Sequence, residues 1–195
     1  MTSAPSGPPG RLRVVDDNRV NRLLLGRALE QLGHTVTFAE NGREALDTLR
    51  KARVDLVLLD IEMPEMDGYQ VLEALGADTQ LRDIPVVMMS SLEEVDSVAR
   101  CIEMGAEDYL FKPVNPILLK ARVGASLEKK RLRDQQRELF RKFATAEVAE
   151  ELMTSGLTLG GKDVEASVMF SDIRAFTSLT ESRSLADTIE LLYRY

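Results

Sequence analysis

Residues 54–68 read VDLVLLDIEMPEMDG. The run from Val54 to Leu59 is rich in branched apolar side chains and ends in a carboxylate, Asp60. Pro64 and Gly68 then turn the chain. A short apolar run bounded by turn residues predicts a buried strand of a parallel sheet. Asp60 then stands at the carboxyl end of a central strand, the edge where open α/β sheets place their chemistry.

A second strand end repeats the pattern, with Val14-Val15 running into Asp16-Asp17. If the two strands are neighbours, three carboxylates converge on one crevice. Like charges at that range repel unless a cation neutralises them. Hard oxygen ligands with open positions suit Mg²⁺. A metal, a nucleophilic carboxylate and room for a phosphoryl group would then share one site. The plainer alternative is that such acids merely cap helices, as Asp often does. For one acid alone that alternative stands; the residues at two further strand ends weigh against it.

With 195 residues the chain has room for one large domain or one and a half ordinary ones. Its net charge of −7 argues against a nucleic-acid footprint. The single Cys101 excludes an internal disulfide and fits a reducing compartment, so a cytoplasmic location is expected. No apolar run is long enough to span a bilayer. The opening MTSAPSGPPG lacks the apolar segment of a secretory signal. Its Pro, Gly and Ser content predicts a disordered tail over residues 1–10. His34 reads as a surface turn residue. No internal repeat is visible.

From Arg11 to about Ala125 strand and helix patterns alternate. Leu12–Val15 is a strand, and Val20, Leu24, Ala28 and Leu32 then mark one face of a helix that Gly33 ends. Thr35–Ala39 is the second strand, and Asn41-Gly42 opens a helix with Ala45, Leu46 and Leu49 inward. Val54–Leu59 is the third strand, followed by a helix around Gln70–Leu75. Ile84–Met89 is the fourth, Val95–Met104 a helix, and Glu107–Phe111 the fifth strand. A long helix begins near Pro116. Five such units with short connections predict an α/β fold with a doubly wound parallel sheet. The flavodoxin-like order 2-1-3-4-5 sets strands one and three side by side, the adjacency that three converging carboxylates require.

The fourth strand ends in Ser90-Ser91, and Lys112-Pro113 follows the fifth. In this order both ends face the same crevice. Lys is a compact point charge suited to a phosphate oxygen. A solvated surface lysine is the usual alternative, against which its place between a strand and a proline argues.

Residues 11–125 resemble the receiver domain of two-component response regulators. The matching pieces are VVDDN at 14–18, LLDIEMPEMDG at 58–68, PVVMMSS at 85–91 and GAEDYLFKP at 105–113. The resemblance implies that Asp60 is the phospho-acceptor. It implies that Asp16 and Asp17 hold Mg²⁺ together with Asp60 and the backbone carbonyl of Glu62. It makes Ser90 the switch hydroxyl, Tyr109 the aromatic that changes rotamer, and Lys112 the group that contacts the phosphoryl. It also implies a cis Lys112–Pro113 bond, a phosphohistidine donor on a histidine kinase or phosphotransfer protein, and tuning of hydrolysis by Glu62 and Leu92.

The last helix, from Pro116 to about Phe143, carries Leu118, Ala125, Leu132 and Leu139 at every seventh position, with Ala146 continuing the series. This is a candidate coiled-coil seam. Its second register is polar, at Lys129 and Gln136 or at Glu128 and Gln135. The expectation is a marginal homodimeric coiled coil over 116–143, overlapping the receiver; the alternative is one solvated helix. The cluster Lys129, Lys130, Arg131, Arg133 is interrupted by acids and reads as a solvated face.

GLTLGGKD at 156–163 nearly spells a phosphate-binding loop, but Asp163 replaces the Ser/Thr that would ligate Mg²⁺, and a strand follows instead of a helix. A hairpin-like turn is expected there. KFATAEVAEELM and VMFSDIRAFTSLTE, at 142–153 and 168–181, resemble the transducer element and the start of a class III nucleotide cyclase. The resemblance makes Asp172 a metal-binding aspartate. The family's other catalytic residues would lie beyond Tyr195, so an incomplete α+β cyclase fragment over 144–195 is expected, inactive alone, within a longer protein. The resulting expectation is a receiver regulating cyclic-nucleotide synthesis through a dimeric linker. The rival is a phosphorylation-independent dimerisation scaffold. An active cyclase in this chain and a DNA-binding output are disfavoured.

Overall fold

The computed structural model describes residues 8–91 and 95–143, with isolated positions between 167 and 190. The chain divides into two compact units, Met1–Thr154 and Ser155–Tyr195. Only the first is described at length. It runs β1 (Arg11–Val15), α1 (Arg19–Gln31), β2 (Thr35–Ala39), α2 (Gly42–Leu49), β3 (Leu56–Asp60), α3 (Gly68–Ala77), β4 (Val86–Ser90), α4 (Val95–Glu103), β5 (Asp108–Phe111) and α5 (Pro116–Phe143).

The five strands form one sheet in the order β2-β1-β3-β4-β5, all parallel. Every residue of β3 and of β4 is buried, as continuous apolar runs in the middle of a covered sheet should be. The sheet separates two cores. On one face Leu12, Val14, Leu56, Leu58, Val87 and Met89 meet Leu25 and Leu29 of α1 and Leu119, Val123 and Leu127 of α5. On the other, Val57, Leu59 and Met88 meet apolar residues of α2 and α3, with Cys101 of α4. At roughly 25 cal/mol per Å² these two layers are the main favourable term in folding.

Local chemistry sets the ends. Asn18 caps α1 by accepting from the Val20 and Asn21 N–H groups. Asp67 and Gln70 form a reciprocal capping box that starts α3 at Gly68, earlier than the apolar pattern indicates. β3 starts at Leu56 and takes in Asp60; β4 starts at Val86, after Pro85, which lacks the N–H a ladder needs.

Three expectations are corrected. The α1 stripe of Val20 and Leu24 faces outward, and both residues are exposed; Leu25 and Leu29 are the buried pair. The helix is rotated because Arg22 is turned into the molecule, where its guanidinium finds acceptors. His34 is half-buried instead of lying free in a turn. Its Nδ1 accepts the Gly10 N–H at 3.1 Å, and burial holds its pKa below the usual value. The basic cluster of α5 is not simply solvated. Lys129 and Arg133 both bind Glu107, at 2.5 and 2.9 Å, and Arg137 forks onto Asp83. The heptad residues Leu118, Leu132 and Leu139 are exposed, as is Ala125, while Leu119, Val123 and Leu127 pack on the sheet. Ala146 and the expected segment 144–195 otherwise fall outside the described residues, apart from a few positions.

Gly68 joins this scaffold to the acidic strand end. A Cβ there would sit 2.3 Å from the Asp60 carbonyl oxygen and 2.8 Å from the Ile61 Cα, both backbone atoms that no rotamer change can move. Gly68→Ala should therefore cost about 2 kcal/mol, as overpacking does. Gly76→Ala is the internal control: it lies in the same helix with nothing within 4 Å, and should stabilise by about 0.5–1 kcal/mol through helix propensity. Urea denaturation of both variants checks this. A Gly68→Ala variant as stable as the parent would mean that the loop can move away.

Candidate functional site

The site is built by register. β1 and β3 are adjacent and parallel, with Val15 opposite Leu59. The next residues, Asp16 and Asp60, therefore come level at the carboxyl edge of the sheet. Both are almost wholly buried, while Asp17 is exposed at the mouth. Carboxylate oxygens of Asp16, Asp17 and Asp60 all lie within 4.8 Å of one another. β5 delivers the counter-charge. Lys112, one residue past its end, is tied to β4 through its N–H to the Ser90 carbonyl at 2.8 Å, and its peptide bond to Pro113 is cis. Its ammonium lies 2.7 Å from Asp16 Oδ2 and 2.6 Å from Asp60 Oδ2.

Burial is the largest influence on Asp60 and pushes its carboxyl up to about 6; Lys112 pulls the other way and nearby Asp16 adds to the rise. For Lys112, burial pushes the ammonium down, but hydrogen bonds to Asp16 and Asp60 outweigh it and hold the pKa above the usual value. Three carboxylates facing one ammonium leave two negative charges in excess when all are ionised. That excess, an all-oxygen donor set and an open side at Asp17 together fit a small hard divalent cation.

Ser90 and Tyr109 are buried beside this cluster. Burial raises the Tyr109 phenol, and a hydrogen bond with the Ser90 side chain acts against that rise. The Tyr109 ring meets Phe111 edge-on at 5.1 Å. The Glu62 N–H donates to Asp60 Oδ1 at 3.3 Å, and the Glu62 carboxylate accepts the Ser91 hydroxyl. Leu92 and Asp172 lie outside the described residues.

Two supporting residues have no counterpart among the sequence-based expectations. Asn21 donates its amide to both Asp16 oxygens at 3.3 Å. Arg22, buried, donates to the Asp16 and Asp17 carbonyls at 2.8 and 3.0 Å and pairs with Glu40. Together they hold the loop that presents two of the three carboxylates. The available signal was the polar pair Asn21-Arg22 just ahead of the apolar run Leu23–Leu25, next to an acidic strand end.

An apolar groove of about 580 Å³ adjoins Lys112, lined among others by Leu24, Ala28, Pro113 and Val114.

A family model described as "Response regulator receiver domain" matches residues 12–124. The rice protein "Two-component response regulator ORR3" (Oryza sativa) is 39% identical over 110 residues, which cover 56% of this chain and 84% of that protein. The "Probable transcriptional regulator ycf27" of Cyanidium caldarium is 38% identical over 118 residues, covering 60% of this chain but only 46% of that protein. The chain thus spans less than half the length of that relative. Among solved structures, the signal receiver domain of a signal transduction histidine kinase from Syntrophus aciditrophicus is 35% identical, with a TM-score of 0.58 over 62% of this chain and 91% of that one. Among the described residues no helix is long and apolar enough to cross a membrane.

Proposed function

This chain belongs to the response regulator receiver family, and from that premise we propose that Asp60 accepts a phosphoryl group from a phosphohistidine on a histidine kinase or phosphotransfer protein. The observation that carries the proposal is the convergence of Asp16, Asp17, Asp60 and Lys112 at one edge of the sheet. An Asp60 oxygen attacks phosphorus, the P–N bond breaks, and the leaving imidazole keeps the bonding pair and takes up a proton. Asp16, Asp17, Asp60 and the Glu62 carbonyl would hold Mg²⁺, which when bound offsets charge on the transferring group. Lys112 contributes a positive charge already in place before reaction. Asp60 must shed its proton to act, and occupation by a cation favours its ionised form.

The acyl phosphate brings new charge and strong acceptor oxygens to a buried corner. Ser90 would donate to one of them, with Tyr109 packing behind it. This couples a local charge event to the β4–β5 side of the domain. The apolar groove beside Lys112, with exposed Val20 and Leu24 on α1, offers the donor protein a docking surface next to the reacting carboxylate.

For the output, we read VMFSDIRAFTSLTE as the start of a class III cyclase with Asp172 as a metal ligand, regulated through a homodimeric α5. The exposed row of Leu118, Ala125, Leu132 and Leu139 supports pairing of two copies. The same row is independent of Asp60, so it also favours the second reading, a dimerisation scaffold that needs no phosphorylation. Titration with beryllofluoride and Mg²⁺, followed by chemical shift and by sedimentation, separates the two. The switch predicts shifts around Asp60 and Tyr109 with a changed monomer–dimer balance. No response at those residues, with the dimer unaltered, leaves only the scaffold.

Arg22 gives a further prediction. Arg22→Ala should weaken Mg²⁺ binding about tenfold, the scale on which residues that orient metal ligands act. Mg²⁺ titration by chemical shift measures it. An unchanged affinity would show that the Asp16-Asp17 loop holds its own shape.

A further inference from the structure

The opposite edge of the sheet carries a second charged pocket. It has a volume of about 500 Å³ and collects residues from four places: the start of β1, the α2–β3 loop, the α3–β4 connection, and the part of α5 beyond the sheet. Six cations line it, namely Arg11, Arg50, Lys51, Arg53, Lys130 and Arg137, against the carboxylates of Asp55, Asp83 and Asp134. The positive excess is three charges, in a chain whose net charge is −7.

The pairing shows where that excess sits. Arg11 forks onto Asp55, with both contacts at 3.1 Å. Arg137 forks onto Asp83, and Lys130 pairs with Asp134 at 2.7 Å. These three pairs cancel. Arg50, Lys51 and Arg53 remain, all on one short loop. Among the described residues Lys51 and Arg53 make no ion pair, and both are exposed. Arg50 reaches Asp78 at 3.2 Å in an exposed pair, a type that contributes little and exchanges readily. The opposite wall carries Lys130 and Arg137, each already paired with a carboxylate.

We propose that this pocket binds a polyphosphate anion, either an inorganic chain or the triphosphate of a nucleotide. Unpaired Lys51 and Arg53, with Arg50 held only by an exposed pair, suit several linked phosphates better than one. The volume lies in the range of small-ligand sites, and the charged walls disfavour an apolar occupant. A bound chain would bridge the α2–β3 loop to α5 outside the sheet. Strands of five residues place it roughly 17 Å from the Asp60 edge, at about 3.3 Å per residue, so the two sites do not share ligands.

The test is calorimetric titration of the full chain with tripolyphosphate, ATP and orthophosphate, at matched ionic strength, with a chelator present so that no metal bridges phosphate to the acidic edge. One saturable site for tripolyphosphate is expected. It should weaken at least tenfold in the double variant Lys51→Glu, Arg53→Glu, whose replaced side chains are exposed and unpaired, so that its thermal melt should match the parent. Asp60→Asn should bind as the parent does. ATP binding no tighter than tripolyphosphate would show that the phosphates alone are read; tighter binding would show that the nucleoside contributes. Absence of saturable binding, equal binding by the double variant, loss in Asp60→Asn, or equal affinity for orthophosphate would each overturn the proposal.

Discussion

Asp60→Asn should abolish phosphoryl uptake from acetyl phosphate and, in metal-free protein at neutral pH, should make the fold more stable. Loss of uptake follows because a neutral amide is no nucleophile at phosphorus and brings no negative charge to a hard cation. The gain in stability follows from burial. The folded carboxyl titrates near 6, against an ordinary value of 3.8. A carboxyl raised on folding binds its proton more tightly in the native state, so its contribution is fully present below pH 3.8 and is lost as pH rises through about 6. Above that window the parent carries a penalty of up to about 3 kcal/mol that Asn does not. Other carboxylates work in the opposite sense: Asp55, Asp83 and Glu107 are held low by basic partners and stabilise as pH rises. Total stability therefore hides the effect, and the difference between variant and parent reveals it. Urea denaturation in chelator across pH 3.5–8 should show that difference opening between about pH 4 and 6. Saturating Mg²⁺ should narrow it, since the parent, with one more carboxylate at the site, gains more from the ion. A difference that stays flat with pH would show that Asp60 is not held neutral by its surroundings.

That the carboxylate cluster is legible in the sequence is a matter of geometry. Strand β3 is apolar from Leu56 to Leu59 because both of its faces are covered, and Asp60, still buried, marks its carboxyl end. The same holds for Val14-Val15 and Asp16. Once five strand–helix units imply the order 2-1-3-4-5, level strand ends are a consequence of parallel register. Lys112 and Ser90 were readable for the same reason, since a polar residue at or just past the end of a buried strand lies at that edge.

What could not be read depends on rotation and on long-range pairing. A helix with apolar residues on more than one side leaves the buried face undecided. In α1 the choice between Leu24 and Leu25 is made by Arg22, whose guanidinium needs the Asp16 and Asp17 carbonyls. Arg13 is a similar case: a charged residue buried in β1, reaching the Thr48 hydroxyl across to α2 at 2.8 Å. The basic run in α5 reads as solvated in one dimension because Glu107 and Asp83 are distant in sequence. Only the folded path of α5 past the lower edge of the sheet brings them together.

Lys112→Ala is the change that should damage both stability and chemistry. Among the described residues its ammonium is the one cation that pairs with the buried carboxylates of Asp16 and Asp60. Removing it leaves two charges in low dielectric with hydrogen bonds but no counter-charge, and one-sided loss of a buried pair costs about 3 kcal/mol or more. Part of the strain will be relieved by protonation, so Asp60 should titrate above 6 in the variant. Mg²⁺ should restore much of the lost stability, because a divalent ion replaces the missing charge at the same oxygens. It should not restore the rate. A preset cation aimed at the transferring group is worth about a hundredfold, and phosphoryl uptake from acetyl phosphate at saturating Mg²⁺ should fall by that order. The two readouts separate the roles of the side chain: folding free energy reports its charge, which a metal can replace, and rate reports its position, which a metal cannot. A variant whose stability ignores Mg²⁺ would show that the acidic edge is not a cation site, and one that reacts at the parental rate would remove Lys112 from the chemistry.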